Sequence, residues 1–312
     1  MGHPKITDLD KTRLALLVEY GVLTSEQMSA LGFGVVRSAR RWADGMAEQG
    51  LVASSTRGFR GKRGQPEKVF TLTKEAVNLL KESALLRADV SIERVQWVST
   101  RTLEHQLAVN WFAISVRELA LVPTFLEVRF LTSTNPFLEP LQSGHPHIAG
   151  FAADSDLESE LEWFTPDGVL SLTEPQSGKA LLFFVEIDMG SEGLSTATGS
   201  QGAISEKVRR YQAYFQSNAY KRYETEWNVK FNGFRLLFVA QDRTRSSQLS
   251  RLVQSVPPND FIWITDWVQI QARGIGGFVW NRAGNQKEDN ESILGPSLGR
   301  AWLEHHRSGE IQ

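Results

Sequence analysis

The 312-residue sequence contains no cysteine. This absence excludes a disulfide scaffold, a zinc site built from thiolates and a cysteine nucleophile. Long apolar runs are missing too, since stretches such as residues 180–185 fall far short of the roughly 20 residues that a membrane-spanning helix needs. No apolar segment precedes Leu14, so the pattern typical of a secretion signal is absent as well. Together these absences predict a cytoplasmic protein with no membrane partner.

A strong net charge is also lacking, because 34 lysines and arginines are balanced by 36 acidic residues. The balance excludes a global basic field that would draw the whole chain onto nucleic acid. The charge is nevertheless distributed unevenly. Residues 1–85 hold 13 basic against 9 acidic side chains, and residues 37–68 hold 8 against 3. This asymmetry predicts an electrostatic footprint for nucleic acid on the N-terminal part of the chain.

The length indicates about two domains, and hydrophobic periodicity predicts a mixed α/β chain divided into four segments. These are a winged helix-turn-helix DNA-binding domain at 1–85, a connector at 86–100, an α/β domain at 101–272 and a peripheral, Gly-rich C-terminal segment at 273–312.

The first domain is predicted from the order of its elements. Helical patterns cover residues 9–22, 25–32 and 35–48, and a two-stranded ribbon follows. Thr24, with Gln27 three residues later, is a capping-box signature for the second helix. Three short helices followed by a ribbon are typical of a winged helix-turn-helix.

Three arginines lie on one face of the third predicted helix, because Arg37, Arg40 and Arg41 are spaced i, i+3 and i+4. In a helix-turn-helix, that helix enters the major groove of DNA. An alternative stays open, in which the basic surface docks another protein. The ribbon offers further cations to phosphates: Arg57, Arg60, Lys62 and Arg63.

The second domain follows the order αβββαβαβ and places three acidic residues near the ends of two neighbouring strands. Asp167 lies in the triplet PDG, and Glu186 and Asp188 lie in VEID. If the two strands form a hairpin around residues 173–178, these carboxylates converge. Unpaired carboxylates are costly at the end of an apolar strand.

A divalent cation would offset that cost, since Mg²⁺ binds one or two carboxylates together with water and phosphate. The candidate cofactor is therefore Mg²⁺ or Mn²⁺. Lys207, on the following helix, could neutralise a phosphate, and Tyr211 shares its face. The alternative is that PDG forms a simple bulge or turn, and that Asp188 caps the strand or pairs with an arginine such as Arg209.

These motifs resemble two known groups of proteins. PDG, then VEID about twenty residues later, then a helix with KxxxY is similar to the PD-(D/E)xK nuclease superfamily. With the winged helix in front, the chain resembles the replication-relaxation family of bacterial plasmid and mobile-element proteins. That similarity also includes EHQLAVN (104–110), FVEIDMGSE (184–192) and EKVRRYQAYF (206–215).

The resemblance implies residue roles. Asp167 and Glu186 match the two metal-binding acids, and Glu104 matches a helix acid that some members use as an additional ligand. Asp188 stands where the superfamily carries lysine, and Lys207 would be the substitute.

The resemblance further implies a protein that binds double-stranded DNA in plasmid replication, relaxation or mobilisation. Asp188 at the lysine position argues against cleavage by its nuclease-like domain and leaves that activity an open question. Replication or relaxosome proteins and a second copy of the chain are the expected partners. Two alternatives remain: a metal-dependent endonuclease or nickase that uses Asp167, Glu186 and Lys207, and a protein-interaction adaptor.

Overall fold

The computed structural model of the chain describes residues 6–57, 67–92, 95, 103–120, 126–132, 149–151, 162–190, 193–194, 204–286 and 289–307. The chain divides into two compact units. The first comprises Met1–Ile114 and Thr134–Pro146, and the second Ser115–Ser133 and His147–Gln312. The division falls inside the helix Leu103–Leu119, whereas the sequence places the start of the second domain at residue 101.

The first unit combines short helices with a small sheet. Thr24 and Gln27 form the predicted capping box, which is confirmed in both directions by hydrogen bonds of 3.1 Å. Its described elements are α1 (Asp8–Tyr20), β1 (Leu23–Thr24), α2 (Ser25–Met28), a π-turn (Ser29–Phe33), α3 (Val36–Glu48), β2 (Val52–Thr56), β3 (Lys68–Leu72), α4 (Lys74–Glu82) and the start of α5 (Leu103–Leu119).

The small sheet has the antiparallel order β1-β3-β2. Strands β2 and β3 pair from Val52↔Leu72 to Thr56↔Lys68, so they form the predicted two-stranded ribbon. Residues 58–66, between them, lie outside the described part of the chain. Strand β1 adds a third strand, which the sequence did not predict, because it is only two residues long.

Within the first unit, buried amide side chains join the EHQLAVN motif of α5 to α1 and α2. Asn110 Nδ2 donates to the carbonyl oxygens of Tyr20 at 3.1 Å and Val22 at 2.6 Å. Gln27 Nε2 donates to the carbonyl of Leu107 at 2.7 Å. Asn110 and Gln27 are almost fully buried, and buried polar groups stabilise a fold only when they are paired. These hydrogen bonds therefore set the register of α5 against the end of α1.

The second unit is built on a mixed six-stranded sheet. Its strands are β4 (Glu127–Leu131), β7 (Gly168–Glu174), β8 (Lys179–Asp188), β9 (Phe234–Ala240), β10 (Ile262–Asp266) and β11 (Asn281–Arg282), and a separate pair is formed by β5 (Ala149–Phe151) and β6 (Glu162–Phe164). The order across the large sheet is β11-β10-β9-β8-β7-β4. Strands β8, β9 and β10 are parallel, and the remaining neighbouring pairs are antiparallel.

The described residues of the same unit contain five complete α-helices and the end of a sixth. The helices are the rest of α5, α6 (Ile204–Gln216), α7 (Arg222–Trp227), α8 (Arg243–Gln254), α9 (Trp267–Arg273) and α10 (Gly295–Arg307). The predicted mixed α/β class is confirmed.

The hairpin of β7 and β8 is confirmed, since the strands pair up to Glu174↔Lys179. The residues on either side of Asp167 form two separate elements, β6 and β7, which belong to different sheets. Pro166 has no amide hydrogen to continue a ladder, so β7 begins only at Gly168. A Cβ at Gly168 would lie 2.5 Å from the ring of Phe130, so this position requires glycine.

Aromatic packing places α6 on the sheet. The ring of Phe184 on β8 lies 5.8 Å from Tyr211 and 5.5 Å from Tyr214, both on α6, and 4.8 Å from Phe234 on β9. All four side chains are nearly or fully buried. Because alternate residues of a strand share a face, Glu186 and Asp188 point to the same side of the sheet as Phe184.

The C-terminal segment is packed rather than peripheral. Trp280 and Trp302 are fully buried, and Asn281–Arg282 pairs with β10. A Cβ at Gly274 or Gly276 would lie 2.7 Å from the Trp302 ring, so these glycines make room for the indole. The glycine content of this segment thus reflects close packing.

None of the helices in the described ranges combines the length and the apolar composition that crossing a bilayer requires.

Replacing Asn110 by alanine should lower the free energy of unfolding by about 1–3 kcal/mol, because two buried hydrogen bonds are removed and carbonyl groups stay desolvated. Chemical denaturation followed by tryptophan fluorescence measures the change. Asn78→Ala, at an exposed position of α4, is the matched control and should shift stability by less than about 0.5 kcal/mol. Equal stabilities of the two variants would refute the anchoring role of Asn110.

Candidate functional site

Helix α3 presents its positive charges to solvent. Ala39, Ala43 and Met46 face the core of the first unit, so the opposite face carries Arg37, Arg40 and Arg41, all of them exposed. Arg40 Nε lies 3.5 Å from Ser25 Oγ. Arg37 and Arg41 make no hydrogen bond or ion pair to any described residue. The side of α3 that faces away from the core therefore exposes three positive charges to solvent.

Polar and aromatic contacts hold α3 against α1. Trp42 Nε1 donates to Asp10 Oδ1 at 2.8 Å, and the Trp42 ring meets Phe33 edge-on at 4.9 Å. The Arg13 guanidinium lies 5.3 Å from the centre of the Phe33 ring. Burial alone would raise the pKa of Asp10, but hydrogen bonds from Thr7 and Trp42 hold that pKa below its usual value. Asp10 thus joins the start of α1 to α3 through the Trp42 indole.

Arg57, at the end of β2, is held by two carboxylates instead of being presented to solvent. Its Nη1 lies 2.8 Å from Glu67 Oε2, and its Nε lies 2.6 Å from Glu104 Oε1, with a second hydrogen bond from Nη2 to Glu104. The hydrogen bond to Glu104 raises the pKa of Arg57. Arg57, which the sequence predicted to contact phosphate, therefore binds Glu104, which the resemblance implied to be a metal ligand. The other ribbon cations, Arg60, Lys62 and Arg63, lie outside the described residues.

In the second unit, Glu186 is buried near the end of β8 with a partner for each of its oxygens. Lys207 Nζ lies 2.8 Å from Oε2, and the Tyr211 hydroxyl donates to Oε1 at 2.6 Å. Lys207 and Tyr211 are four residues apart on α6, which places both above the same strand. Burial, with the nearby charge of Asp167 adding to it, raises the pKa of Glu186 to about 7 against the opposing effect of Lys207.

Asp167 lies immediately before β7, on the strand next to Glu186. Its amide donates to the carbonyl of Val185 at 3.0 Å, and its Oδ2 accepts from the amide of Ile187 at 2.7 Å. These two hydrogen bonds extend the β7–β8 ladder by one step and place Asp167 beside Glu186. The sequence therefore brings Asp167, Glu186 and Lys207 together, and their charges influence one another.

Asp188 has a different partner from the one considered from the sequence. Its Oδ2 lies 2.6 Å from Nε of Arg245 on α8, not near Arg209, and its Oδ1 accepts from the amide of Gly190 at 2.9 Å. The side chains of Asp188 and Arg245 are only 6% and 12% exposed. A buried ion pair thus accounts for the carboxylate of Asp188 at the end of β8.

Sequence reasoning missed Arg245 because it lies 57 residues from Asp188. One signal could have found it: α8 begins directly after β9, and β9 is the parallel neighbour of β8. The carboxyl ends of parallel neighbours meet at one edge of the sheet, so a basic residue in the first turn of α8 lies within reach of Asp188.

A metal ion has a limited set of ligands here. No group of three or more histidine or acidic residues within the described ranges is arranged to hold a metal ion. Asp167 and Glu186 supply two carboxylates, which is enough for Mg²⁺ when water completes its coordination. Lys207 and Tyr211 already bind both oxygens of Glu186, so a cation would have to displace the Lys207 ammonium.

Comparison with known proteins gives one match. The family model described as replication-relaxation matches residues 14–229, which is more than half of the chain. Neither a curated protein nor a solved structure matches significantly. The matched range contains α3 together with Asp167, Glu186 and Lys207, and it ends before Arg245.

Replacing Arg245 by methionine should destabilise the protein by about 3–5 kcal/mol, because Asp188 would stay buried without its cation. Chemical denaturation measures the loss. Arg243→Met is the matched control, since Arg243 is exposed two residues earlier on the same helix.

The double variant Asp188→Asn with Arg245→Met should recover part of that stability, because the buried charge is removed while an acceptor for the Gly190 amide remains. A double variant whose loss equals the sum of the single losses would show that Asp188 and Arg245 do not interact.

Proposed function

Because the chain belongs to the replication-relaxation family, we propose that it binds double-stranded DNA in the replication, relaxation or mobilisation of a plasmid or other mobile element. The observation that carries this proposal is the exposed face of α3. Arg37, Arg40 and Arg41 lie side by side there, opposite the side of the helix that packs into the core. Arginine is well suited to phosphate because it donates hydrogen bonds in a planar fork.

The first unit acts as a winged helix-turn-helix in this proposal. Helices α1, α2 and α3 precede the β2–β3 ribbon, so α3 takes the place of the recognition helix in the major groove. The anchor of Trp42 on Asp10 fixes its orientation. Preorganised arginines lose less conformational freedom when they bind phosphate.

The ribbon forms the wing, and its two ends have different roles. Arg57 is tied to Glu67 and Glu104, so it positions the base of the wing against α5. Arg60, Lys62 and Arg63 follow Arg57 in the sequence and are the cations of this segment assigned to phosphates in the proposal. In this proposal, Arg57 does not contribute positive charge to DNA binding, because Glu67 and Glu104 neutralise it.

The second unit is a nuclease-like domain without cleavage activity in this proposal. Asp188 binds Arg245, and Glu186 binds Lys207 and Tyr211, so the carboxylates find their partners inside the protein. Such a domain contributes a surface for replication or relaxosome proteins or for a second copy of the chain. The protein acts in the cytoplasm.

Replacing Arg37, Arg40 or Arg41 singly by alanine should weaken duplex binding and reduce the slope of log K against log salt by about 0.9 for each phosphate that is no longer neutralised. Fluorescence anisotropy at several salt concentrations measures both quantities. Lys74→Ala removes one exposed charge from α4 and should leave the slope unchanged. Wild-type slopes in all three arginine variants would contradict the proposed interface, and no duplex binding at all would favour the adaptor function.

A metal-dependent endonuclease or nickase is the second candidate function, favoured by the cluster of Asp167, Glu186 and Lys207. Burial and the nearby charge of Asp167 raise the pKa of Glu186, and a divalent cation bound between the two carboxylates would offset both effects. Asp167 and Glu186 would hold Mg²⁺ or Mn²⁺, which activates water and stabilises a leaving oxygen. Lys207, once displaced, would be free to bind the phosphate.

If this second function holds, supercoiled plasmid should be nicked in Mg²⁺ or Mn²⁺ but not in EDTA, as gel electrophoresis would show. Asp167→Asn keeps an acceptor for the Ile187 amide and should reduce nicking by about 100-fold or more, with duplex binding retained. Glu226→Gln, at an exposed site on α7, is the control. Nicking by the Asp167 variant at the wild-type rate would identify a contaminant, and no nicking by any form would leave the non-catalytic function.

A further inference from the structure

Two neighbouring valines at the start of α3 are exposed to solvent. Val35 is 69% exposed and Val36 is 39% exposed. Leu9, Leu85, Leu181 and Val268 are also exposed, but Val35 and Val36 are the one adjacent pair among these six residues. Neither valine belongs to the hydrophobic core of the first unit or packs against it.

The backbone leading into α3 determines how this pair is presented. Gly32 and Gly34 turn the chain with φ values of 86° and 94°, and Val35 follows in an extended conformation as the residue that begins α3. A β-branched side chain at this position supplies no cap, and α3 has no side-chain hydrogen bond at its N-terminus. Serine or aspartate would stabilise the helix better here, so the local structure gives no reason for valine.

The arginines identify the partner of this surface. Val36 is the i,i+4 neighbour of Arg40, and Arg37 is the i,i+4 neighbour of Arg41, so the exposed valines lie beside a strip of arginines on α3. A two-fold contact between copies of the chain through this face would place like-charged arginines opposite one another, which opposes self-association. A polyanion with an apolar group between its phosphates fits the surface better.

In duplex DNA, the major groove offers one such group. Recognition helices direct their N-terminal residues at base edges, and the C5-methyl of thymine is the apolar group displayed there. Valine has no side-chain donor or acceptor, so its side chain can read a base only through that methyl. We infer that Val35 and Val36 contact thymine methyl groups and make the protein selective for thymine under the N-terminus of α3, an inference that rests on the proposed DNA binding.

The test first selects a preferred duplex from a randomised library with the full chain. Each thymine of that duplex is then replaced by deoxyuridine, which removes the C5-methyl alone. We expect one or two replacements to weaken binding roughly 3- to 5-fold, the factor that corresponds to burying about one methyl group. The variant Val35→Ala/Val36→Ala should bind the thymine and uracil duplexes equally. Leu9→Ala, an exposed apolar residue on α1, should discriminate as the wild type does.

The outcomes separate this inference from the proposed function. Arginine-dependent binding that is indifferent to uracil, or a selection without thymine at fixed positions, overturns the valine contact and leaves the DNA-binding function standing. A dimer in sedimentation that disappears in the Val35→Ala/Val36→Ala variant also overturns it, because the pair would then join two copies. No duplex binding by the wild type overturns both.

Discussion

The second unit depends on the cost of burying carboxylates at the end of β8. Glu186 and Asp188 lie two residues apart on one face of an otherwise apolar strand, and each requires a cation from a different helix. Lys207 ties α6 to the strand, and Arg245 ties α8 to it. One partly exposed and one buried ion pair therefore add to the aromatic packing that holds these helices on this face of the sheet. The same two pairs also use the charges that a catalytic centre would need.

The charged residues of the first unit fall into two groups, those paired inside the protein and those exposed to solvent. Asp10, Arg57 and Glu104 are engaged within the protein and hold α1, α3, the ribbon and α5 in place. Arg37 and Arg41 instead lie exposed on α3. The proposed DNA binding would therefore need only a modest basic excess in the first unit, because the exposed arginines are concentrated on one helix.

Local patterns predicted much of this architecture. The capping box of Thr24, the β7–β8 hairpin and the neighbouring positions of Asp167 and Glu186 all follow from short-range spacing. The partner of Asp188 did not, because it depends on which strand lies beside β8, and a single sequence does not determine parallel pairing. The packing of residues 273–307 was not predicted for a related reason. A segment whose glycines make room for the Trp302 ring has the same amino-acid composition as a Gly-rich loop. Glu104 matched a family position, yet its ion pair with Arg57 depends on a ribbon 47 residues earlier in the chain.

The pairing of Asp188 with Arg245 has an evolutionary consequence. A relative with lysine at position 188 would place two cations together in a buried site, so it could not also keep arginine at position 245. These two positions should therefore change together across the family. Family members with an uncharged residue at position 188 are expected to carry an uncharged residue in place of Arg245 as well.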